Sequence, residues 1–367
     1  MMFEKINNAS VWYGPEQEKK DDWVYNLDKD DISEINYLTE KYLSTNRELK
    51  EINKKDFYLE NLQQKYLNKI DLELKNGRGF ALIRGMPVNK WDRKKMITAY
   101  MGLCSFFGNF RVQNKKGHLL GHIKDLGKDT NKDFNARVYE TSYRQTFHSD
   151  RSDIVSLLCL NKSKKGGESL LVSSMTIFNK ILENHPEYLE TLFAPFPLDR
   201  RGEEGGNQKG YSMTPVYYEK NGKISSYFLR QYLESSKRFE GVVITNRQRE
   251  ALDIVDKYAN DEKLFMKMKF EPGDIQIIYN HTLFHDRMSF EDYDEKDYKI
   301  LGVLTIRGIE KDVSVSCSLK KISKGLSLKT NFNVLASDFG IEIPKVVRNK
   351  ISQEINITAE YDLFEKL

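Results

Sequence analysis

Apolar positions change their spacing along this chain, and the changes divide it. Between Asp30 and Ser44 the residues Ile32, Ile35, Leu38 and Tyr42 fall at helical intervals. Phe57, Leu59, Leu62, Tyr66 and Ile70 do the same between Asp56 and Asn76. Side chains three or four apart share one helix face, so both stretches predict amphipathic helices, the second stopped by Gly77. The texture then shifts to short apolar runs. Phe80-Ala81-Leu82-Ile83, between Gly79 and Gly85, predicts a buried strand, and Met96–Phe107 a helix ending at Gly108. Asp153–Leu160, rich in Val and Ile, predicts a central strand, and Ser169–Val172 another beyond the Gly166-Gly167 turn. Helices are predicted at Met175–Glu183 and Glu187–Phe193, and Thr245 with Gln248 forms a capping box for a helix reaching Ala259. Leu264–Phe270 and Ile275–Tyr279 read as strands flanking Glu271-Pro272-Gly273-Asp274, and Tyr298–Arg307 as a further strand.

The pattern gives an α+β, mainly β chain: a helical N-terminal region over 1–77, a mostly β domain over 78–310, and a C-terminal extension over 311–367 of no legible role. At 367 residues it is long enough for a sizeable core. Charge narrows the partners. Lys and Arg total 58 against 54 Asp and Glu, with no basic stripe, so binding driven by release of nucleic-acid counterions is not expected. The three cysteines show no CxxC spacing, which disfavours a zinc ribbon, an iron–sulfur cluster or a disulfide scaffold; they read as small apolar fillers. No apolar run reaches the ~18 residues of a membrane span, and Met1–Ser10 has no signal-peptide core. The expectation is a cytoplasmic protein acting on a small molecule, with neither membrane nor nucleic-acid partner; its oligomeric state is left open.

Six histidines are present, and the one of most interest lies in Phe147-His148-Ser149-Asp150. On an extended backbone, residues two apart point the same way, so His148 and Asp150 can share an ion. His285, just beyond the strand Ile275–Tyr279, is the best third ligand. Two histidines and one carboxylate leave open positions on Fe(II) for substrate, cosubstrate and O₂. Taken alone, such a tripeptide is more often a surface turn. Its weight comes from the residues that follow in order: Arg151-Ser152-Asp153, Gly166-Gly167-Glu168-Ser169, Asp199-Arg200-Arg201-Gly202-Glu203-Glu204, Pro272-Gly273-Asp274, and Asn280-His281-Thr282-Leu283-Phe284-His285-Asp286-Arg287.

This series resembles the Fe(II)/2-oxoglutarate oxygenases of the taurine dioxygenase (TauD/TfdA-like) superfamily, over roughly residues 78–308. The resemblance implies a double-stranded β-helix, a jelly roll with Fe(II) at its mouth held by His148, Asp150 and His285. It implies 2-oxoglutarate and O₂ as cosubstrates, Ser169 against the 2-oxoglutarate carboxylate, and Asn280 behind the distal histidine. One departure stands out. The family's strand after the distal histidine carries an arginine for the remote carboxylate of 2-oxoglutarate. Here the aligned strand, Tyr298–Arg307, offers Lys299 at that site, with Arg307 and Arg287 as displaced alternatives. A buried carboxylate without a partner costs several kcal/mol. Either a cation replaces the clamp, or the enzyme dispenses with 2-oxoglutarate and a chelating substrate supplies the electrons.

For the substrate, Arg230 with Tyr227 and Tyr232 around it, and Arg151, are the chosen contacts; Arg144, Arg200 and Arg201 are lesser candidates, each most often a surface ion pair. Arg137 and Tyr139 are placed as pocket lining, and Gly205, Gly206 and Gly210 as a lid. His118 and His122 read as loop residues, His281 as structural and His185 as a surface residue before Pro186. The function expected is iron-dependent oxidation of a small polar molecule, an amino acid or a specialised-metabolite intermediate. A jelly roll that binds metal without catalysis is the competing class.

Overall fold

The computed structural model describes residues 3–113, 117–126, 137–201, 208–292, 298–322, 325–344 and 352–364. Contacts divide the chain into two units, Met1–Phe290 and Glu291–Leu367.

The first unit is built on two four-stranded sheets. One has the order Val24–Asn26, Phe80–Arg84, Ile275–Tyr279, Ile154–Leu158; the other runs Met266–Met268, Ser169–Ser173, Leu283–Arg287, Gln145–His148. Alternate side chains of the two meet in a shared core: Phe80, Leu82 and Ile278 from the first, Leu171, Met266, Met268 and Leu283 from the second, with Trp12 among them. The outer faces are covered as well. Ala81, Ile83, Ile275 and Ile277 pack under Ile35, Leu38, Leu62 and Ile70 of the N-terminal helices. Leu170, Val172, Phe284 and Phe147 pack under helices Ser174–Asn184 and Asn246–Ala259. Burial on both faces is why these strands read as unbroken apolar runs.

The predicted helices are found close to their expected bounds, as Lys29–Ser44, Arg93–Cys104, Ser174–Asn184 and Asn246–Ala259, the last capped by Thr245 and Gln248. The helical stretch ending at Asn76 starts at Glu60 instead of Asp56, because the Asp56 carboxylate accepts from the Asn53 backbone in a preceding turn. The strand Ile154–Leu158 is at the edge of its sheet, not its centre. Its apolar content answers to helices stacked on its face, where Ile154 and Leu158 pack, and not to strands on both sides. Among the described residues no helix is long and apolar enough to cross a membrane.

The second unit is a four-stranded antiparallel meander of Tyr298–Ile306, Ile309–Ile322, Gly325–Leu335 and Glu354–Phe364. The contact division thus falls before Tyr298–Ile306, which lies with the strands that follow it. The strand pairs along its whole length with the next, from Tyr298 opposite Cys317 to Ile306 opposite Ile309. The hairpin is closed by Arg307 and Gly308, both at positive φ (53° and 79°), the two-residue turn that suits the twist of paired strands.

Candidate metal centre

His148 closes the strand Gln145–His148 and His285 is the middle residue of Leu283–Arg287. The two strands are antiparallel neighbours with His285 in register with His148, so directly opposed side chains leave the same face. Their rings lie 4.1 Å apart between centroids. Asp150 does not continue the strand, as the extended reading of the motif requires. It arrives by a turn, fixed by the Ser149 amide donating to the Phe228 carbonyl (2.6 Å) and the Asp150 amide donating to Asn280 Oδ1 (3.2 Å). Asn280 thus fastens the carboxylate from the chain just before the distal histidine. The result brings Asp150 Oδ1 to 3.7 Å from His148 Nε2 and Oδ2 to 3.4 Å from His285 Nε2. One ligand atom from each residue lies within 4.8 Å of the others.

The electrostatics suit a cation. His148 is buried, and its Nδ1–H donates to the Thr146 carbonyl at 2.8 Å, leaving the Nε2 lone pair facing Asp150. The Gln145 amide nitrogen caps that lone pair from 2.8 Å. Burial, with the charge of His285 beside it, pushes the His148 imidazole down to about 4, so it is neutral and ready to coordinate. Burial works to raise the Asp150 carboxyl, but the hydrogen bond from His285, helped by the nearby charge of Arg137, outweighs it and holds it well below the ordinary carboxylate value. His285 Nδ1 is buried without a hydrogen-bond partner. Two imidazoles and one ionised carboxylate converging from one side match the donor set of mononuclear non-haem Fe(II), so these residues fit the ion.

Around the triad the expected residues separate. Ser169 is buried on the same sheet face as His285, opposite Arg287, and its hydroxyl accepts from the Gln276 amide at 3.0 Å. Arg287 donates from Nη2 to the carbonyls of Val138, Thr141 and Tyr143. Lys299 is exposed on the first strand of the second unit, so its strand belongs to neither sheet of the first. Arg307 forms the hairpin turn that follows. Arg151 Nε donates to the Tyr227 hydroxyl (3.3 Å) close to Asp150, so these two substrate candidates do meet beside the triad. Arg230 is tied instead to Asp253 (2.7 Å), Asp256 (2.9 Å) and Glu234 (3.1 Å), pinning one helix to the next. Its neighbouring tyrosines meet other arginines instead: Tyr227 accepts from Arg151, and the Arg151 and Arg137 guanidinium groups lie over the Tyr232 ring.

The lesser candidates also resolve. Arg144 forms an ion pair with the buried Asp286. Gly210 packs against the Phe239 ring so closely that an added Cβ would stand 2.3 Å from it, which is no place for a lid hinge. Gly205 and Gly206 lie outside the described residues. His281 bridges Tyr218 and Asp153, a structural role. Sequence reasoning missed Gln145, Gln276 and the Thr146 carbonyl. Gln276 had a signal in being a polar residue inside an apolar strand; Gln145, in the largely polar strand Gln145–His148, and a backbone carbonyl had none.

Comparison with known proteins now bears on this geometry. The model of the "Taurine catabolism dioxygenase TauD, TfdA family" matches residues 45–304, and that of a "YceI-like domain" matches residues 260–363. The chain is 28% identical over 293 residues to FR-33289 synthase of Streptomyces rubellomurinus, covering 79% of this chain and 86% of that protein. It is 30% identical over 297 residues to the taurine hydroxylase-like protein SAT17 of Stachybotrys chartarum, covering 78% and 75%. Its fold is similar to that of an asparagine oxygenase in complex with Fe(II), 3-hydroxyasparagine and succinate (TM-score 0.53, 15% identity, 73% of this chain and 88% of that one). It is equally similar to that of the non-haem iron oxygenase OrfP in complex with Fe and α-ketoglutaric acid (TM-score 0.54, 16% identity, 74% and 89%). The chain therefore belongs to the taurine catabolism dioxygenase TauD, TfdA family.

Proposed function

We propose that this chain is a mononuclear non-haem Fe(II) oxygenase that uses O₂ and 2-oxoglutarate to oxidise a small polar molecule, an amino acid or a specialised-metabolite intermediate. The observation that carries the reading is the convergence of His148, Asp150 and His285 from two paired strands and a pinned turn. The two sheets are read as a double-stranded β-helix with these ligands at its mouth. Bound there with 2-oxoglutarate and O₂, Fe(II) supplies the oxidation of an unactivated C–H bond, with 2-oxoglutarate leaving as succinate and CO₂.

The chain's own residues do the rest. Thr146 fixes the His148 tautomer through its carbonyl, and Asn280 holds the Asp150 turn. Arg287 and Ser169, in register on the sheet that carries both histidines, are the proposed seat for the remote carboxylate of 2-oxoglutarate. Arg287 takes the role expected of Lys299. Its planar fork matches a carboxylate as a lysine's point charge does not. The helices packed outside both sheets keep the ligands rigid, and the second unit is read as an accessory sheet.

The test is O₂ uptake and succinate formation by the iron-loaded protein with 2-oxoglutarate and a panel of amino acids and polar metabolites. Coupled consumption that disappears in His285→Ala supports the reading. Iron-loaded protein that consumes neither O₂ nor 2-oxoglutarate with any substrate would place it with non-catalytic metal binders.

A further inference from the structure

The turn that delivers Asp150 runs on to Asp153, and there a chain of hydrogen bonds begins. Asp153 Oδ1 accepts from His281 Nε2 at 2.7 Å, and His281 Nδ1 meets the Tyr218 hydroxyl at 2.7 Å. The bond from His281, above all, holds the Asp153 carboxyl below its ordinary value, so it is ionised at neutral pH and can only accept. In the neutral imidazole the order is then fixed: the Tyr218 hydroxyl donates to Nδ1, and Nε2–H donates to Asp153. An exposed ion pair by itself contributes little. This ring is better held, for its side chain is only 20% exposed, it lies 4.9 Å from the Tyr279 ring between centroids, and both its nitrogens have partners.

Both ends of the chain lead back to the metal centre. At one end Asn280, the residue before His281, laces the turn. Its Oδ1 accepts from the Asp150 amide (3.2 Å), its Nδ2 donates to the Ser152 carbonyl (2.9 Å) and its amide donates to the Asp153 carbonyl (2.9 Å). At the other end Tyr218 stands opposite Ser225 in the hairpin of Tyr217–Lys220 and Lys223–Ser226. The Ser226 amide donates to the His281 carbonyl (2.9 Å), and the next residues are Tyr227 and Phe228. Phe228 accepts from the Ser149 amide beside Asp150, and Tyr227 accepts from Arg151. These contacts form a closed circuit through the metal carboxylate's turn and the hairpin, and His281 joins its two halves.

We propose that His281 is a positioning residue: through Asp153 and Tyr218 it braces the Asp150 turn against the hairpin that leads into Tyr227, and so sets the metal carboxylate. This rests on the oxygenase reading and adds a residue to its machinery. A two-stranded hairpin is marginal by itself, and a turn between strands has no ladder to fix it. The ring removes freedom from both at once. Orientation is what a ligand carboxylate draws from the groups behind it.

The experiment uses the full chain with Mn(II) as the metal. Titration reads its affinity, and the electron paramagnetic resonance spectrum at saturation reads its ligand geometry. A contact that serves stability alone lowers the unfolding temperature and leaves that spectrum unchanged. His281→Phe keeps a ring against Tyr279 and loses both hydrogen bonds. Direct supports of a ligand are worth roughly 10–100-fold in affinity, so one bond further out about three- to tenfold weaker Mn(II) binding is expected, with an altered spectrum. Asp153→Asn, whose amide oxygen still accepts from Nε2–H, should recover most of the affinity and the wild-type spectrum; Asp153→Ala should recover neither. Tyr218→Phe, which frees the ring at its other nitrogen, should fall between. Wild-type affinity and spectrum in His281→Phe would overturn the proposal, whatever its stability. Should that variant not fold, Asp153→Ala and Tyr218→Phe carry the same test, and wild-type behaviour in both would overturn it. Neither result touches the oxygenase reading. Wild-type protein that takes up no Mn(II) would overturn that reading, and this one with it.

Discussion

His148 stands directly across from His285 in the antiparallel ladder, the two rings 4.1 Å apart, each on a strand whose reverse side is sealed by Phe147 or Phe284. The sheet therefore fixes the two imidazoles relative to each other before any ion arrives. Only Asp150 depends on a turn, and that turn is tied at both ends. Pre-organisation of this kind is what a metal centre requires of its scaffold.

Loss of any one ligand should release the metal. Disturbing a residue behind a ligand typically costs 10–100-fold in affinity, so His148→Ala, Asp150→Ala and His285→Ala should each exceed about 100-fold. Iron content after desalting checks this, with circular dichroism to show the fold intact. Full retention in Asp150→Ala would remove the carboxylate from the set.

Arg287→Met should weaken 2-oxoglutarate binding by about 10–100-fold, the worth of one hydrogen-bonded charge, while Lys299→Met leaves it within about twofold. Calorimetric titration of the metal-loaded variants reads both. The reverse ranking would return the clamp to the strand Tyr298–Ile306.

The contrast between these two residues shows where the sequence was legible. The order of motifs from Phe147 to Arg287 was readable because its residues sit on strands whose spacing fixes their neighbours. Most helices and strands of the first unit were equally plain, since burial on both faces leaves unbroken apolar runs. What could not be read was partnership. Nothing in Tyr298–Ile306 says whether it joins the sheets of the first unit or folds back on Ile309–Ile322; the local Arg307-Gly308 turn decides it. Arg230 failed for the same reason, because its three acidic partners lie both on its own helix and on a distant one.

Arg238→Met should destabilise the protein by about 2–3 kcal/mol at neutral pH by leaving buried Asp199 without its fork. Burial alone raises this carboxyl, but Arg238, the Arg201 amide and Ser235 bring it below the ordinary value. Its contribution in wild type is therefore present above about pH 4 and lost as pH falls through the folded-state value. Without Arg238 the folded-state value rises above the unfolded one, so stability is lost as pH rises. Urea unfolding should thus show a smaller deficit at pH 5 than at pH 7.5; a constant deficit would mean that Asp199 keeps its charge without Arg238.

Gly273→Ala should cost about 2–3 kcal/mol. Gly273 sits at φ 94°, and an added Cβ would stand 2.2 Å from the Met86 carbonyl oxygen. That turn leads into Ile275–Tyr279, the strand pairing with two others in its sheet, so the midpoint of thermal unfolding should fall markedly. An unchanged midpoint would mean the turn relaxes freely.

The most direct test of the central claim is anaerobic titration of the Fe(II)-loaded protein with 2-oxoglutarate, followed through the weak visible charge-transfer band of the chelate. The account predicts a saturable band in wild type, none in His285→Ala, and a weakened one in Arg287→Met. Wild-type protein that retains its iron yet shows no band at any concentration would contradict 2-oxoglutarate as the cosubstrate, and would leave a substrate that chelates the iron itself.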